Sequence, residues 1–176
     1  MKRLLIVLAI LALATTAMAG RSIDGSVVTL VEPTDPLEPG GTYTFRFYVE
    51  NWSEDYEYIS DIIITFPDGY VLDPASIGWE EGPYWSYSSG NWNMSVDGTV
   101  ASWLDADGGY GELDDYEDCY VFVDATLPSD GPRDAIDWLL VGDQWGDPPH
   151  EVSGSIDLTV TPVEADSWGA IKALYR

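Results

Sequence analysis

Tyr43-Thr44-Phe45-Arg46-Phe47-Tyr48-Val49 is the stretch on which the fold is decided. Successive side chains of a β-strand point to opposite faces, so Tyr43, Phe45, Phe47 and Val49 share one face and Thr44 and Arg46 take the other. That is the pattern of a half-buried strand, launched here by the turn Glu38-Pro39-Gly40-Gly41. Cys119, Val121, Val123, Ala125 and Leu127 repeat it, alternating with Tyr120, Phe122 and Asp124 until Pro128. Residues 59–66 are continuously apolar enough for a central strand, ended by Pro67-Asp68-Gly69. Around these, residues 26–31, 69–72, 84–87, 91–96 and 99–104 read as further strand pieces, with Ile136, Trp138 and Leu140 as another. Val152, Ile156, Leu158 and Val160 mark the last, expected to break at Gly154. No segment of the body carries a long 3.6-residue period and no internal repeat is present. The reading is all-β: an immunoglobulin-like antiparallel β-sandwich of seven to nine strands over residues 20–161, with a short C-terminal helix or flexible tail over residues 162–176.

Composition narrows the function. The 176 residues hold 31 Asp plus Glu against 7 Lys plus Arg, a formal net charge of −24. Nucleic acid and anionic membranes both require a basic footprint, so neither is a partner. A single cysteine builds no intrachain disulfide and no multi-thiolate zinc site, leaving the fold to rest on its core. With 45% hydrophobic residues, including 8 Trp and 11 Tyr, that core is available, and disorder is disfavoured despite the charge.

Residues 1–19 read as a secretory signal peptide: Met1-Lys2-Arg3, then an apolar run from Leu4, then Ala17-Met18-Ala19 as the small-x-small cleavage pattern. The run is too short to span a membrane. Its reader is the export machinery, and the location expected for the mature protein is secreted or cell-surface. No cysteine follows the expected cut, so a lipoprotein anchor is not indicated.

A family resemblance is carried by Phe45, Phe47, Val49 and Asn51, by residues 59–67, and by Val100 and Trp103 leading into Asp107-Gly108-Gly109-Tyr110-Gly111-Glu112. Residues 138–154 extend it. The chain resembles the immunoglobulin-like β-sandwich modules of large secreted and cell-surface bacterial proteins. What the resemblance implies is a non-catalytic structural or adhesive role, with no catalytic residues to carry over. The C-terminal segment resembles the short Trp-Gly-x-Ile-Lys endings of some secreted bacterial proteins, which implies sorting or attachment by a surface component. If residues 166–176 are helical, Trp168, Ile171 and Tyr175 share one face, with Lys172 at the basic end. About ten residues with an internal glycine do not hold a helix alone in water, so the tail needs a surface to dock on, whether its own sandwich or a sorting component.

Candidate chemistry is sparse. Asp105, Asp107, Glu112 and Asp114 of the acidic Gly-rich loop offer oxygens to calcium, although the spacing is not that of an EF-hand. The same Asp and Gly residues are also what tight turns require. His150 is the only histidine, and no serine or cysteine is spaced to make a triad with it; Cys119 alternates in phase with core valines. No cofactor is otherwise indicated, and the chain is read as no enzyme. The competing class is a soluble carbohydrate-binding module, in which Trp79, Tyr84, Trp85 and Trp92 would stack on sugar rings; their alternative role is core filling. The partner is thus a glycan or a protein.

Overall fold

The structure is a computed structural model that describes residues 22–53, 56–85, 90–132, 134–145 and 148–158. Residues 1–19, read above as a signal peptide, the C-terminal segment with Trp168, Ile171, Lys172 and Tyr175, and Tyr87 lie outside the described residues.

The stretch 43–49 becomes β2 (Thr42–Glu50), with Phe45, Phe47 and Val49 fully buried. It pairs on one side with β1 (Val27–Glu32) and on the other, over its whole length, with β8 (Asp118–Thr126). The far edge of β8 carries two short strands end to end, β4 (Val71–Leu72) and β5 (Gly78–Glu81). The second sheet runs β10 (Glu151–Asp157), β9 (Ala135–Gly142), β3 (Ile59–Thr65), β7 (Val100–Asp105), β6 (Trp92–Asp97). All pairings are antiparallel.

Strand order identifies the architecture. β1, β2, β8 and β4/β5 stand in the A-B-E-D order of an immunoglobulin sheet, and β3, β9 and β10 in its C-F-G order. The β6–β7 hairpin, inserted after the D position, extends the second sheet beyond β3. The protein is therefore an immunoglobulin-like antiparallel β-sandwich. Between the sheets lie Phe45, Phe47, Val121 and Val123 from one side and Ile62, Ile64, Trp103, Ile136 and Leu140 from the other, all fully buried. Trp103 ties the layers together: its indole N–H crosses from β7 and donates to the Gly78 carbonyl of β5 at 2.9 Å.

The ten strands correct the sequence reading in three places. Of the strand expected over residues 84–87, Tyr84 and Trp85 are not in a strand and residues 86 and 87 lie outside the described residues; β5 forms earlier, where Gly78 lets the Phe122 ring lie across the backbone, a Cβ at that point falling 2.5 Å from the ring. β4 and β5 are one interrupted edge strand: Ser76 Oγ accepts the Asp124 N–H at 2.7 Å in place of a strand carbonyl. Finally, β10 runs straight through Gly154, because the missing side chain leaves room for the Trp138 indole, 2.4 Å from where a Cβ would be. Among the described residues no helix is long and apolar enough to cross a membrane.

Candidate functional site

The segment before β1 (residues 22–26) and four connections converge, in their described residues, on one end of the sandwich: 51–58, 82–91, 106–117 and 143–150. The register dictates this, since Glu50 pairs with Val27 and Asp118, Glu81 with Cys119, Trp92 with Asp105, and Val141 with Glu151. The loops are pinned by Asn51, buried at the end of β2. Its amide donates to the carbonyls of Glu57 and Leu113 at 2.8 and 2.9 Å, and its oxygen accepts from the Ser53 N–H and the Ser26 hydroxyl. One side chain thus ties three loop segments, residues 22–26, 51–58 and 106–117, a geometry that stiffens what the loops display.

What they display is aromatic. Trp52, Tyr56, Tyr84, Tyr110, Tyr116 and Trp145 are the exposed aromatic residues among those described, and all six stand on this end. Two of them, Tyr56 and Tyr116, hold left-handed backbone angles (φ 63° and 59°), a conformation that costs a side-chain-bearing residue on the order of 1 kcal/mol. Tyr116 is kept there by its N–H on the Asn51 carbonyl at 3.0 Å. Large apolar side chains gathered on one patch are the signature of a contact surface, whereas scattered ones need no explanation.

Within this end lies a cavity of about 350 Å³, bounded by Trp52, Tyr84 and Tyr116 and by the acids Glu50, Glu117 and Asp118. Trp52 and Tyr116 meet edge to face, ring centres 6.1 Å apart. Asp118 is buried and fixed: Oδ1 accepts the Tyr84 N–H at 2.8 Å and Oδ2 the Tyr48 hydroxyl. That contact and burial push the Tyr48 phenol well above its usual range.

Beside it, Glu57 is fully buried under the β9–β10 connection, its Oε1 2.7 Å from His150 Nδ1. Gly142 makes the space, since a Cβ there would sit 2.2 Å from Glu57 Oε1. Glu57 Oε2 and Asp143 Oδ2 have no hydrogen-bond partner among the described residues. Burial raises the pKa of both carboxyls, opposed at Glu57 by His150 and at Asp143 by the Trp145 N–H. His150 thus stands against two carboxyls, hydrogen-bonded to Glu57 and close enough to Asp143 to act on it electrostatically. Cys119 is buried in the core, as its phase in β8 required, and burial drives its thiol pKa far up, away from nucleophilic use.

Of the four expected calcium ligands, Asp105, Asp107 and Glu112 come together, with oxygens within 4.8 Å of one another. Asp114 does not join them; it accepts from the Tyr58 hydroxyl and the Asp115 N–H, and burial together with the Asp114 contact lifts the Tyr58 phenol to about 12. The three that do meet also serve the backbone: Asp105 Oδ1 accepts the N–H groups of Asp107 and Gly108, Asp107 Oδ1 that of Gly109, and Glu112 Oε2 that of Asn91. Turn chemistry therefore accounts for the loop's shape.

The four rings expected to form a sugar platform are not displayed together. Trp92 is buried, its 7% exposure placing it in the core; Trp79 and Trp85 stack on each other at 5.2 Å, half-buried against that core. Of the four, Tyr84 alone is exposed, at 70%. The rings that sequence reasoning passed over, Trp52, Tyr56, Tyr110, Tyr116 and Trp145, lie singly in loops where no period flags them.

Known structures share this architecture. A variant of the major pilin subunit of Bacillus cereus superposes with a TM-score of 0.51 at 8% identity, covering 75% of this chain and 39% of the pilin. A second structure of that pilin gives 0.50 at the same identity and coverage. Domains D2 and D3 of the major pilin SpaD from Corynebacterium diphtheriae give 0.49 at 10% identity, over 75% of this chain and 50% of theirs. At such identities the likeness speaks for the fold alone. This chain spans about two fifths of the length of the Bacillus pilin. No protein-family model matches the chain, and no curated protein matches it.

Proposed function

We propose that this protein is an exported, non-catalytic surface module that holds or adheres to a protein partner through the loop end of its sandwich. The observation that carries the reading is the gathering of all six exposed aromatic residues, among those described, on that one end. The rigid sheets position the loops, the buried Asn51 network fixes them, and the aromatic surface supplies contact area at little entropic cost. The pilin-like fold agrees with a surface location, as does the N-terminal segment read as an export signal. The tail, residues 163–176, serves on this reading as its sorting or anchoring element.

Protease shaving and antibody labelling of intact cells test location and retention together. The full chain should be reached from outside, and deleting residues 163–176 should shift it to the medium; a chain protected inside the cell would end the proposal. Adhesion of cells displaying the protein should fall when Trp52, Tyr84 and Tyr116 are replaced by alanine, and unchanged adhesion would remove the loop end from the account. A glycan is the competing ligand class, with Tyr84 the one exposed ring offered to it by the described residues of 79–92.

A further inference from the structure

We infer that the cavity between Trp52, Tyr84 and Tyr116 receives a cationic side chain of the partner protein, and an arginine guanidinium in preference to a lysine ammonium. The inference rests on the reading of the loop end as the contact surface and names what that surface takes. The cavity's volume, about 350 Å³, suits one long side chain with its flanking backbone. Three exposed rings form its walls, at 50%, 70% and 53% exposure for Trp52, Tyr84 and Tyr116, and the π-faces of such rings attract cations. Carboxylates complete it, Glu50 at the end of β2 with Glu117 and Asp118 at the start of β8. Glu117 and Asp118 are 3% and 2% exposed, so their charge acts where water screens it poorly. Asp118 is also already oriented by Tyr84 N–H and Tyr48, which leaves little reorganisation for binding to demand.

The chain displays the same chemistry elsewhere. Arg46, the one Lys or Arg among the described residues, lies on the outer face of the first sheet with its guanidinium carbon 4.2 Å from the centre of the Tyr120 ring and a nitrogen 2.5 Å from Glu80. Ring, carboxylate and guanidinium are there all supplied by one molecule. At the cavity, the described residues supply rings, carboxylates and the Asn51 amide but no cationic side chain. Charge complementarity selects the third member: a chain at −24 draws cationic segments towards it, and a cleft lined by acids concentrates that field. Guanidinium is preferred because it is planar, stacks on rings and is weakly hydrated, whereas an ammonium gives up a tighter water shell.

Calorimetry and tryptophan fluorescence on the full chain test this with four probes: an acetylated Gly-Arg-Gly-Arg-Gly peptide, its lysine and citrulline counterparts, and maltohexaose. The arginine peptide should bind about tenfold or more tightly than the citrulline peptide, which has the same shape without the charge, and more tightly than the lysine peptide. Raising the salt concentration should weaken it. Tyr84→Ala, Trp52→Ala and Glu50→Gln, all at solvent-facing sites, should each lower its affinity several-fold with the melting temperature unchanged, while Trp145→Ala, at the far side of the same end, should not. Equal binding of the citrulline peptide or of maltohexaose, tighter binding of lysine, or indifference to the three cavity variants would overturn the inference. Cell-surface exposure and ring-dependent adhesion are read without these probes, so failure here leaves the surface-module reading standing and failure there is seen separately.

Discussion

Glu57 shows how one residue links burial to function. Its carboxyl is fully buried, with His150 on one oxygen and the backbone of Ile23 close enough to favour its charged form. Burial raises its pKa, so between the unfolded and folded values the native state binds a proton that the unfolded chain does not. The stability this proton brings is complete below the unfolded pKa and is lost as pH rises through the folded one. Glu57→Gln keeps an oxygen for His150 and removes the titration. In denaturant melts, the wild type should therefore gain stability over the variant as pH falls from 7.5 to 5; a constant difference would mean that Glu57 is not buried in the native state. Gly142 depends on the same carboxylate. With Glu57 Oε1 where a Cβ would stand, Gly142→Ala must displace Glu57 from His150, and it should cost about 1–3 kcal/mol, the usual penalty for overpacking a filled site.

Among elements, the strands whose alternation is driven by burial were legible from sequence, and those shaped by a single neighbour were not. β2 and β8 alternate because one face of each meets the other sheet, so Phe45 and Val123 announce them. β5 has no such face: Gly78-Trp79-Glu80-Glu81 is an edge strand set by Trp103 reaching Gly78 and by Phe122 crossing it, contacts with residues more than twenty positions away. Gly154 looked like a break for the same reason. Replacing it with valine should drive a side chain into Trp138 and destabilise the protein by about 1–3 kcal/mol, whereas a neutral effect would mean that β10 can slide away from Trp138. The cavity was illegible on similar grounds, because Glu50, Trp52, Tyr84, Tyr116 and Asp118 come from three separate segments and no spacing in the chain reports their convergence. The acidic loop was legible as a cluster but not as a fourfold one, since Asp114 pairs with Tyr58. Its three crowded carboxylates repel one another, so millimolar Ca²⁺ should raise the melting temperature more than sodium at equal ionic strength. Asp107→Asn keeps the acceptor for Gly109 and removes one charge; it should lessen that response, and an undiminished response would place the calcium effect outside this loop.

At the scale of the whole molecule, charge should make this sandwich more stable at pH 5 than at neutrality. With 31 acidic residues against 7 basic ones, nearly every added negative charge meets others of its kind. The carboxyl groups with a resolved shift, Glu57, Asp61, Asp115 and Asp143, are all shifted upwards, and burial is the first cause in each. Asp115, next to Asp114, is lifted to about 6. Between the unfolded carboxylate range near pH 4 and about pH 6, the native state therefore holds more protons than the unfolded chain, and stability declines as pH rises through that window. The melting temperature should be higher at pH 5 than at pH 7.5, by about 2–4 °C for each kcal/mol recovered. Salt separates the two causes. General repulsion between exposed carboxylates is screened at 1 M NaCl, where charges feel each other over only about 3 Å, but the desolvation of buried carboxyls is not. High salt at pH 7.5 should thus recover part of the gap to pH 5 and leave the remainder. Full recovery would assign the whole effect to the surface and none to Glu57, Asp61, Asp115 and Asp143, while a protein that melts earlier at pH 5 would contradict these desolvated acids and the surface field alike.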